Sequence, residues 1–449
     1  MRADTPPQLK RSIRLIDLVM LGAGAAMGAS IFSVFGPAAA IAGSGVVVAV
    51  LLAALPMVLF GLVYGFMASV MPRSGASYEW QRAFVHPMLG FMISWLRLMG
   101  SAMLIVMFAR VLVNYLKMAL PLPDRPMMLA AIAGVFALNY FGVGLAARAQ
   151  TVLMVLMLAV LAVFAVVGAP QAELAKIGDV MGGGWLPILA ALPLMIHLFL
   201  GIETATEVGE EAANAQRNIP LALVLALALS AGVYLVILLI SLGLVGPAAL
   251  AASKAPMVTA AEAALGPFAK PLVIGAAVLA LLKSMNAIFL VYTRSLFAMG
   301  RAGVLPAALG RLHPRWGTPH IAVCTAFAAT CIGALAPSSL VFLFIAINIP
   351  TMMKYFGTCL AALNLVRRRP DLHALSRLPM GRRTVGVLSI LGMACALLII
   401  VAGFKTDPRA YLVLGGWAVA GLAVWLLGRK QTPGPTPAPL PIDAGPVRS

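Results

Sequence analysis

Segments of roughly twenty mainly apolar residues recur along nearly the whole chain, and no other feature constrains its fold as strongly. Hydrocarbon offers no partner to a backbone N–H or C=O, so each crossing segment must satisfy its own hydrogen bonds as a helix. Twelve such spans are read, at 16–42, 44–71, 87–116, 127–146, 149–168, 187–209, 219–245, 271–300, 320–336, 340–366, 384–403 and 410–428. A chain of 449 residues with 62% hydrophobic and 10% charged residues has no room for a soluble globular domain of comparable size. The fold class expected is all-α and polytopic, in the plasma or inner membrane.

Two spans are interrupted. Gly28-Ala29-Ser30-Ile31-Phe32 breaks the first and Gly201-Ile202-Glu203-Thr204-Ala205 breaks the sixth. Unwound backbone at membrane depth is tolerated only where it lines a cavity or binds something polar. A matching pair, one in each half, marks the central site of a secondary transporter. Residues 16–168 hold five spans and 187–366 hold five more, with a break first in each set. Five is odd, so the second set starts from the opposite side and the two form an inverted repeat. The final pair, 384–428, lies outside it; 1–15 is read as a cytoplasmic N-terminus and 432–449, rich in proline, as a disordered cytoplasmic tail.

The formal charge of +18 raises the question of nucleic acid, and its distribution answers it. With both termini inside, the cytoplasmic segments carry about three times as many lysines and arginines as the outer loops, which is the positive-inside pattern. Arg367-Arg368-Arg369 and Arg382-Arg383 then read as anchors near anionic headgroups, and no nucleic-acid partner is expected. Met1 to Arg14 shows no separate apolar region with a cleavage site, so no signal peptide is expected. Cys324, Cys331, Cys359 and Cys395 fall inside spans without CxxC spacing and read as small buried residues. No cofactor or metal is expected. An enzyme is disfavoured because no HExxH, Ser-His-Asp set or metal-ligand cluster lies at matched depth, and a channel because polar residues gather at the breaks rather than along one stripe.

Four motifs in order carry a resemblance. Asp17-Leu18-Val19 through Gly28-Ala29-Ser30-Ile31-Phe32 to Gly36-Pro37-Ala38 resembles the first-helix signature of the amino acid, polyamine and organocation superfamily of permeases. Met71-Pro72-Arg73-Ser74-Gly75-Ala76-Ser77-Tyr78 is similar to its stretch after the second span. Gly209-Glu210-Glu211 with Asn214-Ala215-Gln216-Arg217-Asn218-Ile219-Pro220 is similar to its "EE…NPQRNIP", with Ala for the first Pro. Leu296-Phe297-Ala298-Met299-Gly300-Arg301 with Gly303, Leu305-Pro306 and His313-Pro314-Arg315 is similar to its stretch after the eighth span. The resemblance covers about residues 15 to 370. It implies a leucine-transporter-like fold, transport of an amino acid or related amine, and a small-molecule substrate and lipid bilayer as partners.

The breaks have a polarity. A half-helix starting after Ser30 points free N–H groups into the cavity and suits a carboxylate; one ending near Leu200 offers carbonyls that suit an ammonium. The resemblance assigns the carboxylate to the amides of Ala29, Ser30 and Ile31, and the amine to the carbonyls of Ala26, His197 and Leu200. Gly28, Gly201 and Ile202 belong to the unwound stretches; Gly28 and Gly201 also have a plainer reading as helix-packing glycines. His197 stands where relatives carry an aromatic gate, and reads equally as a gate or substrate contact and as a satisfied buried histidine.

Glu203 is expected to hold the unwound backbone from the side or to be proton-linked. Glu207, four residues on, is expected to face the same way, biasing the cavity toward cations or carrying coupled protons. Glu210 and Glu211 read as a solvated, salt-bridged loop. Sodium-independent members place a lysine on the fifth helix, where this chain aligns Met157. Lys283, beside Ser284 in the eighth span, is read as restoring that charge: its ammonium takes the sodium place, bonds carbonyls near Gly22 and Ala23, and releases a proton for coupling. The plainer reading is a structural ion pair. Lys354 is expected to pair with Glu203 or Glu207, Arg110 to snorkel outward, and Arg97 has no assigned partner. Trp80, Trp95 and Trp417 read as interface or packing residues.

Overall fold

The computed structural model describes residues 11–28, 30–118, 123–253, 255–335, 340–404 and 409–428, so the readings for Ala29, for residues 1–10 and for the tail 432–449 lie outside the described residues. The first predicted span becomes α1 (Leu15–Ala26), α2 (Ser30–Ser33) and α3 (Phe35–Ala42), and the second becomes α4 (Val46–Val70). A short α5 (Ala76–Phe84) leads to α6 (Pro87–Lys117), α7 (Asp124–Tyr140) and α8 (Val143–Gly168). After α9 (Leu174–Ile177) come α10 (Trp185–Ile196), α11 (Ala215–Ala252), α12 (Pro256–Leu265), α13 (Ala269–Arg301), α14 (His320–Leu335) and α15 (Leu340–Arg368). The order closes with α16 (Pro370–His373), α17 (Arg382–Phe404) and α18 (Arg409–Gly428).

Among the described residues six apolar helical stretches are long enough to cross a bilayer: Phe35–Val70, Pro87–Lys117, Val143–Gln171, Ala215–Ala252, Pro256–Arg301 and Arg382–Val401. The chain is an all-α polytopic membrane protein. Its perimeter is apolar, as lipid contact requires; Val152, Val155, Val163 and Val166 of α8 all point outward. Cys324 is likewise exposed rather than buried, because it falls on an outward face of α14, while Cys359 is buried.

Two boundaries differ from the sequence reading. The turn between the fourth and fifth spans lies at Phe141 and Gly142, not at 147–148, because Gly142 (φ 147°) takes a conformation that a side chain would disfavour and α8 starts directly after it. The seventh span continues to Ala252 across a kink at Gly246 (φ 75°).

The interior is built around α13, whose residues Lys283 to Gly300 are all buried. It packs on α6, α8 and α1, while α11 packs on α4 and α1. The broken α1 is therefore enclosed by α8, α11 and α13, and its backbone must find partners there rather than in lipid.

Candidate functional site

α1 stops at Ala26. The N–H of Met27 still reaches Ala23 O (2.8 Å) and that of Gly28 reaches Ala26 O (2.7 Å), and the helical path resumes at Ser30. The break leaves carbonyls of the last turn without intrahelical donors. One of them, with that of the capping residue Met27, is met from α13: Lys283 Nζ donates to Gly24 O (2.8 Å) and to Met27 O, and Ser284 Oγ donates to Gly24 O (3.0 Å). An ammonium at a helix C-terminus also opposes the negative end of the macrodipole. The carbonyls expected from sequence were those near Gly22 and Ala23. Gly24 is the residue next to Ala23, while Met27 O lies a turn further on, because α1 stays helical to Ala26 and Ala23 O is still used by Met27.

Met157 lies fully buried on α8, which packs against both α1 and α13. Beside Lys283 is a web of buried amides that sequence reading passed over. Asn286 Nδ2 donates to Ala146 O (3.0 Å) and Gln150 Oε1 (3.1 Å), and Asn139 Nδ2 donates to Asn286 Oδ1 (2.9 Å). The available signal was three carboxamides inside apolar runs, since such groups in hydrocarbon require partners on other helices.

At the second break α10 ends at Ile196, residues 197–200 form a turn, and Gly201 adopts φ 109°. A Cβ on Gly201 would stand 3.1 Å from Ala25 Cβ, and one on Gly22 would stand 2.8 Å from Ile202 O, so the two breaks lie directly against each other. Beyond Gly201 the chain forms a 3₁₀ helix, Ile202–Glu207, not the α-helix expected to 209. Glu203 supports the break as expected: its Oε2 accepts the Gly201 N–H (3.1 Å) and the Tyr355 hydroxyl (2.6 Å), and its Oε1 accepts from Lys354 Nζ (2.5 Å). Lys354 also lies over the rings of Tyr64 (5.6 Å) and Tyr355 (5.1 Å).

Glu207 does not face the same way as Glu203. A 3₁₀ helix has three residues per turn, so positions four apart diverge. Its Oε1 accepts from Ser77 Oγ of α5 (2.6 Å), and its carbonyl accepts the Gly75 N–H (3.0 Å). Arg97 of α6 lies within electrostatic range of Glu203, Lys354 and Tyr355, which supplies the neighbours that sequence left unassigned. Arg110 lines a separate cavity of about 250 Å³ with Asn114, Asp124 and Arg125.

The amine contacts expected from sequence are only partly brought together. Ala26 O is 3.1 Å from the hydroxyl of Tyr234 on α11, and that hydroxyl also donates to Leu198 O (2.7 Å). Leu198, between His197 and Leu200, therefore offers its carbonyl at this point. His197 lies half-buried in the turn with its N–H on Leu194 O (3.3 Å); Leu200 is half-buried, Ile202 and Ile31 are buried, and Ser30 is half-buried at the start of α2.

The end of the second broken element is clamped. Glu211 is not solvated: it is fully buried and accepts two hydrogen bonds from Arg294 of α13 (2.8 Å each), while its carbonyl accepts the Ile13 N–H (3.0 Å). Glu210, more exposed, pairs with Arg301 (2.8 Å) and Arg73 (3.5 Å). Among the described residues no group of three metal-ligating side chains gathers.

Known proteins give these features a context. The chain is 27% identical over 454 residues to the branched-chain amino acid permease BcaP of Bacillus subtilis, covering 94% of each chain. It is 24% identical to the methylthioribose transporter of the same organism over 94% of each chain. It is 25% identical to the low-affinity putrescine importer PlaP of Escherichia coli over 70% of this chain and 72% of that one. The model of the amino acid permease family matches residues 13–424. With two helix breaks packed together inside a polytopic bundle and that match over most of its length, this chain belongs to the amino acid permease family of the amino acid, polyamine and organocation superfamily, a secondary transporter of small solutes and not an enzyme.

Proposed function

We propose that the protein carries an α-amino acid or related amine across the membrane by alternating access, independently of sodium and coupled to protons. In this reading the chain crosses twelve times with both termini cytoplasmic, and residues 16–168 and 187–366 form a five-plus-five inverted repeat of leucine-transporter-like fold. The observation that carries the reading is the contact of the two breaks: Gly201 against Ala25 and Ile202 O against Gly22. Two helices broken at the same place serve a ligand that needs both helix ends, and an amino acid has a carboxylate and an ammonium to offer.

In the reading, the carboxylate is held by amides of Ala29, Ser30 and Ile31, and the amine by carbonyls at Ala26 and the turn 197–200, with Gly28, Gly201 and Ile202 giving the backbone its shape. Lys283 fills the place a sodium ion would take beside α1. Its hydrogen bonds to Gly24 O and Met27 O, with Ser284 on Gly24 O, support that role. Glu203 is the structural brace of the second break. Glu207, bonded to Ser77, is better suited to linking the break to α5 than to meeting substrate.

The test is uptake by proteoliposomes of radiolabelled amino acids, polyamines and methylthioribose, with and without sodium and with and without a pH gradient. Sodium-independent uptake of an amino acid, stimulated by an inward proton gradient, is the expected result. An absolute sodium requirement in the unmodified protein overturns the role of Lys283. Countertransport without net uptake favours the alternative, an exchanger or exporter of the same fold.

A further inference from the structure

Two carbonyl oxygens from different broken helices converge on one hydroxyl. Tyr234 Oη is 2.7 Å from Leu198 O and 3.1 Å from Ala26 O, and the tyrosine is fully buried. Ala26 is the last residue of α1, and Leu198 follows the end of α10 by two residues. Both oxygens therefore stand at helix C-terminal ends, where the aligned dipoles leave partial negative charge.

A phenol has one hydrogen to give. It serves one of the two carbonyls at a time, so the point holds more acceptor capacity than tyrosine can fill. An ammonium brings three N–H groups and a positive charge and fits the same point better. The contrast with Lys283 is informative. Gly24 O and Met27 O receive a charged amine supplied by the protein itself, whereas Ala26 O and Leu198 O receive neutral donors, the phenol and, at Ala26 O, also the Gly28 N–H.

We infer that the Tyr234 hydroxyl is an internal stand-in for the amine of the substrate, bridging the two breaks in the empty carrier and yielding its place when an amine arrives. This rests on the proposed reading of Ala26 and the turn 197–200 as the amine site. An empty carrier whose breaks are bridged can return without cargo. Net transport needs that return, while exchange does not, because in exchange the carrier returns loaded. Tyr234 is thus a positioning residue that sets the ratio of net flux to exchange. Phe199 meets its ring edge-on at 5.5 Å between centroids, a contact that phenylalanine at 234 would keep.

The experiment compares the wild type with Tyr234→Phe in proteoliposomes, using radiolabelled L-amino acids and putrescine in two modes: uptake into empty liposomes and counterflow into liposomes preloaded with the same compound. The variant is expected to keep counterflow within about twofold and to lose about tenfold in net uptake, the factor that one hydrogen bond of the empty state is worth. Its half-saturating concentration in counterflow is expected to fall, since the phenol no longer competes with the amine. Tyr234→His, which retains a ring N–H donor, is expected to recover net uptake. Equal loss of both modes in each variant makes Tyr234 merely structural and overturns the inference, as does an unchanged ratio in Tyr234→Phe. A wild type that carries no amine in either mode overturns the transport reading itself, and this inference with it.

Discussion

The two helix breaks touch, yet they are held by opposite means. At the first, the free carbonyls of α1 are met by Lys283 and Ser284, both supplied by the neighbouring α13. At the second, the broken element holds itself: Glu203 turns its Oε2 back to the Gly201 N–H, Tyr355 donates to the same oxygen, and Lys354 balances the charge from Oε1. The hydrogen bonds of Lys283 end on backbone oxygens, whereas Lys354 is one half of a buried ion pair. A proton can leave the first cation without stranding an opposite charge. Removing either partner of the second leaves the other without its hydrogen-bonded counter-charge in a low dielectric. The first break is therefore suited to change during a transport cycle and the second to stay locked.

The largest effect expected from this contrast is at Glu203. Glu203→Gln is expected to destabilise the protein by about 3–5 kcal/mol, because it strands the Lys354 ammonium among Tyr64 and Tyr355. The double variant Glu203→Gln/Lys354→Met is expected to recover most of that loss, since it removes both charges together. Thermal unfolding in detergent checks both. A double variant no more stable than the single one would mean that the pair is not an isolated lock, and Arg97, which also acts on it, would then be the next group to neutralise.

At the first break the expected effect is smaller in stability and larger in cycling. Lys283→Met removes a buried charge as well as two hydrogen bonds, so the two changes partly offset and the loss of stability is expected to be about 1–2 kcal/mol. Proton-driven accumulation is expected to vanish while substrate binding persists, read as uptake against equilibrium binding of the same labelled compound. Met157→Lys in the Lys283→Met background offers an ammonium from α8 instead and is expected to restore part of the accumulation. Proton-driven accumulation that survives in Lys283→Met would place the coupling group elsewhere.

The sequence made the helices and the breaks readable because both follow from one rule, that backbone in hydrocarbon must pair with itself. Long apolar runs and two glycine-centred interruptions are direct consequences of it. What sequence could not supply was rotation. Whether residues after Gly201 wind as an α- or a 3₁₀ helix changes where Glu207 points relative to Glu203 by about 80°, and nothing in Ile202–Glu207 chooses between them. The same limit hid that Lys283 reaches Met27 O as well as Gly24 O, the latter next to the expected Ala23. Arg294 was a readable signal that went unused. An arginine inside an apolar run demands a partner, and Glu211 supplies it from 83 residues away, at a distance no helical spacing can anticipate.

The smallest effect expected tests whether the second break, and not the first, communicates with the segment before α6. Its 3₁₀ helix runs into that segment through the Gly75 N–H to Glu207 O bond and the bridge between Ser74 and Val208. Two acids at this end share the arginines 73 and 301 and are shifted in opposite directions. Burial pushes the Glu79 carboxyl up, and the charges of Arg301, Arg82 and Arg73 only partly oppose it. Burial also acts on Glu210, but there the hydrogen bonds and charge of Arg301, with Arg73, outweigh it and hold the carboxyl below the ordinary glutamate value. Glu210 therefore stabilises the fold above that ordinary value and loses its contribution as pH falls through its depressed one. Glu79, raised, costs stability while ionised, and the cost disappears as pH falls through its raised value toward the ordinary one. Glu210→Gln is expected to lower stability near pH 7 by less than about 1 kcal/mol, since Arg301 is partly exposed, and Glu79→Gln to raise it on the order of 1 kcal/mol. On acidification the gain from Glu79→Gln should shrink first and the loss from Glu210→Gln only at lower pH. Hydrogen exchange then separates the breaks: residues 202–211 should change protection in Glu210→Gln, while 24–28, capped from α13, should not. Equal changes at both would mean that the breaks move as one unit despite being held by different helices.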